Sequence, residues 1–362
     1  MNGERIKLAR KKAGLSLRAL ADKMNGKVSA QAIGKYERDE MVPGSDVLLA
    51  LVKALDVTLP YLMAPRAVEL GKVEFRAKST TSAKERAKVE TTVLEAVERY
   101  LQIEEILDLD SAKWNCPHKM PRRISSPEDA EDLANELRND WDLGIDPIPN
   151  MTELLEQKGI KVLTEELPPK VSGFTCLVKR SGRDDVPVVV VNARHNLERR
   201  RFTLAHELAH RVIAMRAQDE KQLERWCQRF AGAFLISAEH LRNLAGEQRH
   251  ALGWDEIMAI KRLYRVAASA LLVRLEQVGI IHQSALQYAF RTFAKGWRSE
   301  EPEPIEKKDS AKRLEQPHRF ERLVYRALAE DMISAPKAAE LLRKPVSRVE
   351  QGLKGPAHAH NH

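Results

Sequence analysis

Residues 201–213 read RFTLAHELAHRVI, and within them His206-Glu207-Leu208-Ala209-His210 sets two imidazoles four residues apart with a carboxylate between them. On an α-helix, residues i and i+4 share a face, so His206 and His210 can grip one Zn²⁺. Glu207 then lies beside the metal, where a carboxylate can take the proton of a water molecule. That chemistry is hydrolysis. It requires a third protein ligand and one open position. Downstream, Asp219, Glu220, Glu224 and Cys227 carry suitable donor atoms. A transition-state donor is also required; Arg201, His240 and Tyr264 are of suitable type, but no pattern singles one out, and His195 reads as a loop residue.

The elements that must position these groups are mostly helical. Leu204, Leu208 and Val212 would bury the His206–His210 helix, and Ala205 and Ala209 allow close packing. Helices are expected from about Glu198 to about Val278. Before them, Ile160–Leu163, Gly173–Val178 and Val188–Val191 are short, β-branched and bounded by turn residues, as strands are. Pro187 belongs at a strand end or sheet edge. Pro127–Trp141, capped by Ser126, and Met151–Lys158, closed by Gly159, read as helices. The expected fold is mainly α with a small β-sheet, an α+β architecture.

The N-terminal segment has a different character. Residues 1–66 hold 12 Lys/Arg against 7 Asp/Glu, which is most of the net charge of +8 carried by all 362 residues. A small basic domain joined to a nearly neutral remainder fits nucleic-acid contact. Five short helices are expected over residues 4–63, with Ser16, Ser29 and Ser45 as N-caps and Asn25-Gly26 and Pro43-Gly44 as breaks. No run approaches the roughly 18 apolar residues of a membrane span. Residues 1–12 lack an apolar signal core, so a cytoplasmic protein with no membrane partner is expected. Three cysteines, Cys116, Cys176 and Cys227, are too few for a disulfide framework.

Between and after these regions, residues 67–82 read as a linker containing the polar run at 78–82. Residues 83–107 read as a long helix whose apolar positions Val89, Val93, Ala96, Tyr100, Ile103 and Leu107 are spaced 4, 3, 4, 3, 4. That seam fits packing on its own domain better than a dimer coil. Cys116-Pro117-His118 has no second pair nearby to complete a metal site. Residues 298–316, charged and proline-bearing, read as a second linker. Residues 317–362 read as a small helical segment ending in a tail with His358, His360 and His362. No internal repeat is apparent.

Residues 4–63 resemble the XRE family of helix-turn-helix domains through Gly14-Leu15-Ser16, Leu20-Ala21, the run Ala32–Arg38, Pro43 and the stretch Leu48 to Val57. The resemblance implies double-stranded operator DNA as partner, palindromic sites and a homodimer. It places Ser29, Ala30, Gln31 and Lys35 on the exposed face of the third helix, with Ala30 and Gln31 at base edges. Gln31 suits adenine N6 and N7, and Arg18 and Lys35 suit phosphates. Leu17 departs from the Gln often found at that position.

Residues 224–237, ERWCQRFAGAFLIS, resemble the second motif of the ImmA/IrrE zinc metallopeptidases, a zincin-like family. The resemblance covers about 83–278 and implies that Glu224 is the third metal ligand beside His206 and His210, with Glu207 as the catalytic group. Gln228 and Ser237 depart from the Asn and Pro common there. The expected organisation is a helix-turn-helix domain at 1–66, a linker at 67–82, a metallopeptidase domain at 83–297, a linker at 298–316 and a helical segment at 317–362.

Together these readings anticipate a cytoplasmic, nucleoid-associated regulator. Its Zn²⁺ endopeptidase domain would cut a repressor, another partner protein or itself, with stress or metal availability as the trigger. Two rivals remain: a repressor or antitoxin with structural zinc, and an endopeptidase whose first domain docks a protein instead of DNA. The substrate is expected to add as a strand at Gly173–Val178 or Val188–Val191.

Overall fold

The computed structural model describes residues 3–63, 68–70, 82–109, 114, 116–117, 120–180, 182–214, 220–306 and 313–354. Most of the expected 67–82 linker, together with His118, Asp219 and the three C-terminal histidines, lies outside them. In chain order the elements are α1 (Gly3–Lys12), α2 (Leu17–Lys23), α3 (Ala30–Glu37), α4 (Ser45–Leu55), α5 (Leu59–Met63), β1 (Val68–Leu70), α6 (Ala83–Ile106), β2 (Arg122–Arg123), α7 (Pro127–Asp140) and α8 (Met151–Gln157). There follow β3 (Lys161–Glu165), β4 (Gly173–Arg180), β5 (Arg183–Asn192), α9 (Leu197–Val212), β6 (Ile213–Ala214), α10 (Glu220–Leu235), α11 (Ala238–Ala245), α12 (Trp254–Tyr264), α13 (Ala268–Gln277), α14 (Gln283–Arg291), α15 (Arg319–Ala329), α16 (Ala335–Leu342) and α17 (Val346–Lys354). The chain is therefore mainly α with a small sheet. Among the described residues no helix is long and apolar enough to cross a membrane.

Two compact units emerge. One comprises Met1–Ala112, Cys176–Pro187 and Phe320–His362; the other comprises Lys113–Thr175 and Val188–Arg319. In the first, Ile6, Leu20, Ile33, Leu51 and Leu62 close the core of α1–α5. Ser16 Oγ accepts from the Ala19 amide at 3.0 Å and Ser29 Oγ from the Ala32 amide at 3.2 Å, as the cap pattern predicts. At α4 the cap is Gly44, and Ser45 is the first helical residue.

Helix α6 groups with these N-terminal helices and not with the region expected to run from 83 to 297. Arg5 binds Glu98 at 2.5 Å; Lys12 and Arg343 both bind Glu95, and the Tyr61 hydroxyl donates to Glu95 at 2.9 Å. Of the 4-3 seam, Val93, Tyr100, Ile103 and Leu107 are buried within this unit, and Tyr100 and Ile103 join Val324 and Ala327 of α15 in one core. Packing on its own unit is thus the use of the seam.

The same unit contains a repeat that the sequence hides. Ser16 and Ser334 each cap a helix, accepting from the amide three residues on. Counted from each serine, buried residues recur ten and seven positions before it, Ile6 and Ala9 against Val324 and Ala327. They recur four and five positions after it, Leu20 and Ala21 against Ala338 and Ala339. Nine positions on, the chain turns through positive φ at Asn25 and at Arg343. The pair α15–α16 therefore repeats the burial register of α1–α2 up to its turn.

The sheet order is β1-β4-β5-β3, with β1 antiparallel to β4 and β3 parallel to β5. Both central strands outrun their expected lengths because the hairpin continues past the apolar runs. Strands β4 and β5 are both interior to this order, with β1 pairing β4 up to Val178, so neither Val188–Val191 nor Gly173–Val178 is the edge strand expected to receive a substrate. Pro187 is tolerated there because pairing with β3 begins one residue later, at Val188.

In the second unit α9 packs against α8 and α10, and α10 in turn against α7, with Leu204, Leu208, Val212, Phe230 and Phe234 in the core. Gly173 opens β4 where α9 comes closest: a Cβ there would stand 2.6 Å from Thr203 Cγ2 and 2.5 Å from the Val190 carbonyl oxygen. The segment expected as a solvated linker is anchored at Glu301, Glu306 and Glu315. Arg200 forms a two-pronged pair with Glu306, both bonds 2.9 Å, and Arg201 binds Glu315. Lys261, itself buried, binds Glu198 of α9 at 2.7 Å and lies 3.4 Å from Glu301 of the acidic run. Cations this deep need carboxylates, and the acidic run supplies them.

Candidate metal centre and helix-turn-helix surface

Helix α9 starts at Asn196, whose side chain accepts from the Arg199 amide at 3.1 Å, and stops at Ile213, where the chain turns extended into β6. His206 and His210 are one turn apart on it, with ring centroids 5.3 Å from each other. Helix α10 brings Glu224 between them: Oε2 stands 3.4 Å from His206 Nε2, and Oε1 stands 3.5 Å from His210 Nε2. The two imidazole side chains are 6% and 7% exposed and Glu224 is 30% exposed, so the carboxylate reaches in from the solvent side. Glu207 is buried next to His206 in sequence.

The donor set fits a divalent ion of zinc type. Two imidazole nitrogens and a carboxylate, converging from two helices in a mostly buried setting, are the ligand types such an ion takes. Cys227, one turn beyond Glu224 and fully buried, joins the cluster: its Sγ and the donor nitrogens of His206 and His210 lie within 4.8 Å of one another. Glu220 is exposed at the start of α10 and Asp219 is outside the described residues.

Of the three groups considered as transition-state donor, Arg201 is committed elsewhere, to Glu315 and to the Ile148 carbonyl at 2.8 Å. Tyr264 and His240 are hydrogen-bonded to each other at 2.8 Å, and burial pushes the Tyr264 hydroxyl pKa up. His195 lies in the turn before α9; burial, then Arg199 and Arg200, hold its imidazole down to about 4.

In the other unit, Ile33, Gly34 and Tyr36 turn one face of α3 inward and leave Gln31 and Lys35 exposed. Ser29 and Arg18 are exposed as well, and Ala30 is half-buried. Neither Arg18 nor Lys35 is paired with a carboxylate among the described residues, in contrast to Arg10, held by Glu37, and Arg38, held by Glu40.

Residues 155–276 match the family model of the IrrE N-terminal-like domain, peptidase M78, a span that runs from α8 to α13 and contains the whole His206–Cys227 cluster. Residues 6–62 match that of a helix-turn-helix. The chain joins an XRE-type helix-turn-helix domain to an IrrE/ImmA-like metallopeptidase-family domain. The HTH-type transcriptional regulator ImmR of Bacillus subtilis (strain 168) is 29% identical over 113 residues, which cover 31% of this chain and 78% of that protein. The IrrE-like domain thus carries the metal-type cluster, and the helix-turn-helix carries the exposed α3 face.

Proposed function

We propose that this protein is a DNA-bound regulator whose IrrE-like domain is a zinc-dependent endopeptidase acting on a repressor or partner protein, or on its own chain. The observation that carries the reading is the approach of Glu224 to both imidazoles of the His206–His210 helix. His206, His210 and Glu224 would hold the ion, leaving one position open. When bound, Zn²⁺ supplies Lewis acidity to a peptide carbonyl and to an attacking water.

The chain's own groups do the rest. Glu207 takes the proton of the attacking water and returns it to the leaving amine nitrogen. An extended substrate peptide adds as a strand to an edge of the sheet. Arg18 and Lys35 hold phosphates while Ser29, Ala30 and Gln31 meet the major groove.

The test is Glu207→Gln in the full chain, scored for cleavage of co-expressed candidate repressors and for operator binding. Loss of cleavage with DNA binding intact supports the reading. Cleavage unchanged by the substitution contradicts it. If no operator is shifted at low salt, the helix-turn-helix docks protein instead.

A further inference from the structure

We infer that Cys227 is a fourth donor of this metal centre, so that the site has a closed state in which His206, His210, Glu224 and the Cys227 thiolate surround the ion. The inference rests on the metal-centre reading above and extends it.

Helix α10 presents Glu224 and Cys227 three residues apart, which places them on one helical face, as His206 and His210 are on α9. Two helices thus contribute two donors each. The separation of Sγ from the two imidazole nitrogens, within 4.8 Å, is short enough that small side-chain rotations bring all three onto one ion, with Zn–S at about 2.3 Å and Zn–N at about 2.0–2.1 Å. The His210 side chain is 7% exposed and its Nε2 makes no hydrogen bond, Glu224 being 3.5 Å away. A buried imidazole nitrogen left so is aimed at a ligand.

Zinc is borderline-soft and binds thiolate strongly. Cys227 is buried whereas Glu224 is partly exposed, so the thiol is the inner donor and the carboxylate the outer one. On coordination the thiol gives up its proton to solvent. Four protein donors leave no position for water, the condition of a structural site; three leave one open, the condition of a hydrolytic site. Engagement of Cys227 therefore keeps the peptidase latent, and its withdrawal opens the centre.

The wild-type full chain loaded with zinc, measured by X-ray absorption at the zinc edge, should show one sulfur scatterer at about 2.3 Å. The cobalt-loaded chain should show a near-ultraviolet thiolate-to-cobalt band, lost in Cys227→Ser while cobalt remains bound. A shell of nitrogen and oxygen alone, or a thiolate band that persists in Cys227→Ser, overturns the inference and leaves the metal-centre reading standing. Failure of the wild-type chain to take up zinc or cobalt at all overturns both. The absorption measurement needs no variant, so a misfolded Cys227→Ser would not shelter the proposal.

Discussion

Glu224 Oε2 stands 3.4 Å from His206 Nε2, although the two residues are eighteen apart in sequence and on different helices. Between those helices the chain passes through β6, paired in parallel with β2. The approach depends on α9 and α10 packing through Leu208, Phe230 and their neighbours, so the site is a product of the core and not of the five-residue motif alone.

Replacing Glu207 by Gln should lower peptide cleavage by about 10²–10⁴-fold, the range general acid–base catalysis provides. Zinc content and operator binding should stay unchanged. Single-turnover cleavage beside metal analysis checks this.

At the helix-turn-helix, Gln31→Ala should relax sequence preference by about 1–3 kcal/mol at one base pair, because Gln can pair with adenine in two bonds. Lys35→Ala should weaken binding to all sequences alike and reduce the salt slope by about 1. Titrations of specific and scrambled operators at several salt concentrations separate the two patterns.

Glu306→Ala strands Arg200, whose side chain is only 3% exposed. Removing one partner of a buried pair typically costs about 3–5 kcal/mol. Urea unfolding should show a loss of that order. An unchanged midpoint would mean that residues 301–306 do not brace α9.

His195 gives a pH dependence. Its folded pKa of about 4 lies below its ordinary value of 6.5, so the unfolded chain binds the extra proton between those two values. Its contribution to stability is present above pH 6.5 and is lost as the pH falls toward 4. Unfolding midpoints over this window should drop less steeply in His195→Asn than in the wild type.

The features legible in the sequence were those set by local spacing. The His206–His210 turn, the Ser16 and Ser29 caps and the buried face Leu204, Leu208 and Val212 each follow from contacts within a few positions. What stayed hidden depends on distant partners. Glu306 and Glu315 look like linker charges until Arg200 and Arg201 are found beneath them, more than a hundred residues away. The seam of α6 could not declare whether Val324 and Ala327 or a second chain would cover it. The α1–α2 register repeated in α15–α16 escaped because matched positions share burial and not identity, as with Leu20 and Ala338.

The most direct test of the account is the metal content of the purified full chain, wild type beside His206→Ala. The account predicts close to one zinc per wild-type chain and little in the folded variant. Wild-type protein that binds no zinc, or a variant that retains it in full, would contradict the assignment of His206, His210 and Glu224 as its ligands.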